Sequence, residues 1–117
     1  LGFIMYLPDG FVSANLMTPG RPAYTGGTAN TATPAELAAA AFGYFGYAGR
    51  YEVDEAGKAV RHHIEVALAP SLAGSTQFRH VSFEGPRLIL RGDPVSIGGR
   101  MAAHVITWEK IAPGSAA

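Results

Sequence analysis

Cysteine is absent from this 117-residue chain. That excludes a disulfide framework, thiolate metal sites and cysteine nucleophiles, and it fits a reducing, cytoplasmic compartment. Charge is scarce and balanced: nine basic and nine acidic side chains leave a formal net charge of zero. With no basic tract and no acidic tail, nucleic acid and anionic membranes are not expected as partners. Long hydrophobic runs are missing as well; the longest, residues 37–48, falls well short of the ~20 residues needed to span a bilayer. No Gly-x-Ser-x-Gly elbow, His-Glu-x-x-His helix or calcium loop occurs, and Gly26-Gly27 and Gly98-Gly99 lack the surroundings of a phosphate loop. No metal and no cofactor are therefore expected. The chain also begins at Leu1, inside a strand pattern, with neither a methionine nor a signal peptide ahead of it.

What is present is apolar. Hydrophobic residues make up 48% and charged residues 15%, a composition that folds rather than staying disordered. The length suits one domain over residues 1–117. Two β-rich runs flank Pro8-Asp9-Gly10, in which proline pre-sets φ and glycine supplies φ > 0, so residues 1–17 predict a β-hairpin. Residues 18–32, rich in Gly, Pro and Thr, read as a long surface loop of the kind that often serves as a lid or binding loop. Thr33-Pro34-Ala35-Glu36 is a helix start: threonine as N-cap, proline in the first turn, glutamate closing a capping box. The helix is expected to run to Tyr44 or Phe45 and to present Leu37, Ala41, Tyr44 and Ala48 to the rest of the fold.

From residue 47 the period becomes two. Residues 47–54 and 59–69 flank one turn at 55–58, and residues 77–84 and 87–91 flank another at Gly85-Pro86. The last strand is expected over 100–111, followed by a frayed tail over 113–117. About seven strands and one short helix predict a mainly β fold, an antiparallel up-and-down barrel with an interior that can hold a ligand. An odd strand count and the abrupt start imply that a first, N-terminal strand is missing. The exposed edge this leaves predicts a homodimer or a retained upstream segment.

Candidate site residues follow from alternation. His62 and His63 point to opposite faces of one strand and so cannot share a metal ion. His62 falls in register with Val60, Ile64, Val66 and Leu68, and His63 with Arg61 and Glu65, which puts His62 inside. There it is either a core histidine satisfied by one neighbour or a ligand-facing acid or base. His104 shares a face with Ala102, Ile106 and Trp108, but the other face is equally apolar and the phase stays open. Either Arg79 or His80 can face inward; an inward Arg79 requires a carboxylate, on the protein or on a ligand. Asn15 lies with Ser13 on the second strand, and Tyr6, Tyr47 and Tyr51 offer hydroxyls on rigid apolar bodies.

Met5-Tyr6-x-Pro8-Asp9-Gly10, Arg21-Pro22, Thr33-Pro34-x-Glu36, Gly43-Tyr44, Tyr51-Glu52-Val53-Asp54, His62-His63, Gly98-Gly99-Arg100 and Trp108-Glu109 stand together in an order that resembles a family of bacterial and fungal lipocalin-like domain proteins. The resemblance implies a calycin-type barrel with a central cavity, normally preceded by a tryptophan-containing first strand, and implies little about activity. The leading expectation is a binding protein for a small apolar or aromatic ligand, with Tyr6, Asn15, Tyr51, His62, Arg79, His104 and Trp108 around it. The alternative is a cofactor-free isomerase, cyclase or dehydratase in which His62 is the catalytic acid or base and Tyr51 or Arg79 polarises the substrate. A perturbed histidine beside an arginine or carboxylate favours the enzyme. A weaker third reading is a haem barrel with a histidine ligand, for which visible absorbance is the test.

Overall fold

A computed structural model describes residues 1–93 and 95–111, without the side chains of 95–97. The tail expected to fray lies outside the described residues. Among the described residues, nine strands, one α-helix and two short 3-10 turns follow one another. Seven strands form one sheet in the order β1-β2-β3-β4-β5-β6-β9, and β7 with β8 forms a separate hairpin. Each pairing with a defined register is antiparallel, so the chain is mainly β and up-and-down, with one short helix, as expected. The residues divide into two compact units, 1–50 with 64–75, and 51–63 with 76 onward.

In the first unit β1 (Gly2–Tyr6) and β2 (Phe11–Met17) form the predicted hairpin. Its turn closes through Gly10 N–H to Leu7 C=O at 3.1 Å, and Gly10 at φ 95° takes a conformation that only glycine adopts readily. Helix α1 (Pro34–Phe42) starts with the predicted capping box: Thr33 accepts from Glu36 N–H while Glu36 accepts from Thr33 N–H. It ends earlier than expected. Gly43 caps it, and Tyr44 already pairs with Met17, opening β3 (Tyr44–Asp54) three residues ahead of the predicted start. Tyr44 and Ala48 therefore belong to the sheet and cannot share a helix face with Leu37 and Ala41. No residue of α1 is buried, and Phe42 is 92% exposed. Ala14, Tyr47 and Ile64 form the buried cluster of this unit, with Ile4, Ala67 and Leu72 packed against it.

The loop over 18–32 is fastened at Arg21 and at Thr25. Glu36 Oε2 accepts from both the N–H and the hydroxyl of Thr25. Arg21 donates to Ala40 C=O at 3.0 Å and lies over the Tyr44 ring.

Strand β4 (Ala59–Ala67) is shared, its residues 59–63 falling in the second unit; there it pairs with β5 (Thr76–Glu84), β5 with β6 (Arg87–Arg91) and β6 with β9 (Val105–Glu109). The predicted final strand is divided. Arg100–Ala102 is β8, paired to β7 (Val95–Ile97), whereas Val105–Glu109 pairs with β6. Glycines 98 and 99, both at positive φ, turn β7 back on β8, and the chain leaves the strand at Ala103 and His104 before joining the main sheet. Alternation across that break therefore does not hold, and His104 has no phase shared with Ile106 and Trp108.

Candidate functional site

The register of β4 and β5 settles which side chains share a face. Val60 stands opposite Arg79 and His62 opposite Gln77, and opposed residues of antiparallel strands point the same way. The same face continues through Val81, Leu90 and Ile106, and through Phe83, Leu88 and Trp108. It is buried at Val60, Ile64 and Leu90, which are core residues, and at His62, 1% exposed, while Phe83 is 72% exposed. The undecided phase of β5 is thereby decided in favour of Arg79. His80 lies on the other side, exposed, with Nε2 2.7 Å from Asp93 Oδ1.

His63 also lies on the other side. Its Nε2 donates to Glu52 Oε1 and its Nδ1 contacts the Thr76 hydroxyl, both at 2.9 Å. Arg61 on that side covers the Phe78 ring. The expectation that His62 is the inward member of the pair holds as far as Ile64. Beyond it the face opens, since Val66 is 63% exposed and Leu68 is exposed as well.

Electrostatics set His62 apart. Burial, followed by the positive charges of Arg79 and His63, lowers its pKa from 6.5 to about 4, so the ring is neutral near pH 7. Arg79 is half-buried; it donates to Phe78 C=O at 2.8 Å and to Gln77 Oε1 at 3.3 Å. Gly92, at the end of β6, flanks the guanidinium: a Cβ added there would lie 3.7 Å from Nη1. Gly92 N–H in turn donates to the carbonyl of His104 at 2.9 Å. His104 thus reaches this neighbourhood through its backbone, and its side chain is exposed. Trp108 is half-buried on the same face as Arg79, and its Nε1 is buried with no acceptor among the described residues.

The other expected residues fall into two groups. Tyr6 pairs with Val12 on the face that buries Val12 and Ala14, and Tyr51 continues the alternation of the buried Tyr47 and Gly49. Asn15 is on the opposite face of β2, with Ser13. There Tyr44 O–H donates to Asn15 Oδ1 and Asn15 Nδ2 donates to Ser13 Oγ at 3.1 Å. This short polar ladder lines an open hollow of about 300 Å³ with Val66 and Leu68. A neighbouring hollow of about 300 Å³, mostly apolar, lies between α1 and residues 68–70. Both need Gly46, because a Cβ there would stand 2.7 Å from the Tyr44 ring and 3.1 Å from Asn15 Oδ1. Sequence reasoning missed Gln77, whose partner across the strands it could not know, and it put Tyr44 on the helix.

Among the described residues no group of three His, Asp or Glu could hold a metal ion, and no helix is long and apolar enough to cross a membrane.

An up-and-down antiparallel sheet, one short capped helix and an apolar face carrying a few polar side chains are the features of a lipocalin-like protein. Residues 1–111 match the family model of the lipocalin-like domain, and the chain belongs to that family. No curated protein and no solved structure gave a match.

Proposed function

We propose that this chain binds a small apolar or aromatic ligand carrying one or two polar groups, against the buried face of β4 and β5. The observation that carries this reading is His62: a polar ring, 1% exposed, on the same strand face as Val60 and Ile64, in a family whose fold suits ligand binding. A neutral imidazole has one donor and one acceptor, so one ring nitrogen can serve a partner within the fold while the other orients a ligand that the aliphatic and aromatic neighbours hold by area. Gln77 and Tyr51 extend the polar repertoire of that side. The test is titration with the neutral fluorophore N-phenyl-1-naphthylamine. Saturable one-to-one binding supports the reading, and a linear, non-saturating signal counts against it.

A second reading keeps the same residues and adds chemistry. His62 is perturbed and stands within electrostatic reach of Arg79, the combination expected of an acid–base site. The direction of the shift weighs against it, because a pKa near 4 leaves a weak base at neutral pH, far from the matched value that proton transfer favours. Mass spectrometry of whatever molecule co-purifies separates the two. A ligand returned unchanged after prolonged incubation in deuterated buffer is a bound ligand; one that has gained deuterium at carbon or lost water is a substrate.

A further inference from the structure

We propose that Arg79 receives the carboxylate of the ligand, so that the molecule taken up is an apolar carboxylic acid in its ionised form. The inference rests on the ligand-binding reading above and assigns the charge of that ligand. A guanidinium has five N–H donors. Those of Arg79 reach Phe78 C=O and Gln77 Oε1, both neutral acceptors. No carboxylate pairs with it among the described residues. Nor does the register bring one to its face, where β4, β5, β6 and β9 contribute Val60, His62, Gln77, Val81, Leu90 and Ile106.

The contrast with the other arginines is informative. Arg50 and Arg87, both exposed, stand 3.4 Å from Glu65 and Glu109, where solvent makes an ion pair worth little. Arg79 is half-buried, where a counter-charge stabilises far more; Arg21 and Arg61, also half-buried and without a carboxylate among the described residues, lie over the rings of Tyr44 and Phe78, whereas Arg79 stands on the face that carries His62. Gly92 presents no side chain to the guanidinium: a Cβ there would lie 3.7 Å from Nη1. The planar fork matches a carboxylate in two parallel hydrogen bonds. With Arg79 as the cation on this face among the described residues and His62 neutral, a monoanion is matched and a dianionic phosphate is not.

The experiment compares 11-(dansylamino)undecanoic acid with its methyl ester on the whole chain, by fluorescence titration at pH 7.5. The acid is expected to bind at least about tenfold more tightly, the least that a charge-assisted pair contributes. Arg79→Gln should bring the acid to the affinity of the ester and leave the ester within about twofold, while Arg79→Lys should restore part of the preference. Equal binding of acid and ester to the natural chain overturns the inference and leaves the ligand-binding reading standing. Saturable binding of neither probe overturns both. The acid-to-ester ratio on the natural chain decides the matter even if Arg79→Gln fails to fold.

Discussion

Acidifying the protein from pH 7.5 to pH 4.5 should unload stability through His62. Its ring has a pKa of about 4 in the fold against 6.5 when unfolded. Between those values the unfolded chain binds a proton that the folded chain refuses, so stability is fully present above about pH 6.5 and falls as the pH drops towards 4. Each unit of difference corresponds to about 1.36 kcal/mol. The loss should therefore be about 2 kcal/mol by pH 5 and approach about 3 kcal/mol near pH 4. That is a large part of the roughly 5–15 kcal/mol that holds a domain together. The assay is urea unfolding at half-unit pH steps, on the natural chain and on His62→Gln, and the measured quantity is the difference between the two curves. Glu36 does not interfere: hydrogen bonds from Thr33 and Thr25 hold its pKa at about 2, so its contribution is lost only as the pH falls below about 4.5 towards that value. Parallel curves for the two proteins from pH 7.5 to 4.5 would refute the reasoning, because His62 would then titrate alike in both states.

His62→Ala should weaken ligand binding at least about tenfold if it removes a hydrogen bond in a dry site, whereas His63→Ala, whose ring is occupied by Glu52 and Thr76, should stay within a few-fold; the reverse order in a fluorescence titration would invert the assignment. Gly46→Ala should cost about 1–3 kcal/mol in thermal or urea unfolding, since its methyl would overlap the Tyr44 ring and force it from Asn15; a neutral result would show that the ring moves freely. Thr33→Ala should cost about 1 kcal/mol through loss of the cap on α1, read as reduced helical ellipticity and a lower Tm. The edge strand β1, with Leu1, Phe3, Met5 and Leu7 exposed, should pair with a second copy; a strictly monomeric mass by light scattering at high concentration would oppose that.

The hairpin at Pro8-Asp9-Gly10 and the start of α1 were legible because turn and cap chemistry are local: three or four residues decide them. The end of α1 was not. Gly43 marked a weakening, but Tyr44 became strand because Met17 stands opposite it, a partner no local window contains. The final strand failed for the same reason, since the apolar run 100–111 continues through a break that only pairing with β6 and β7 reveals. His62 could be oriented because aliphatic neighbours at spacing two surround it. Arg79 could not, because β5 is mixed on both faces and its phase is set by the register with β4. Asn15 misled: alternation put it correctly beside Ser13, but the buried side of β2 is the one carrying Val12 and Ala14.

The most direct test of the proposed site is a heteronuclear NMR titration of the natural chain with 11-(dansylamino)undecanoic acid, following backbone amides and the His62 ring protons. Saturable shifts concentrated at residues 60–64 and 77–81, with the His62 ring among the largest, are the predicted result. Saturable shifts confined to Ser13, Asn15, Tyr44 and their neighbours, with the His62 ring unmoved, would contradict it and transfer the ligand to the opposite face of the sheet.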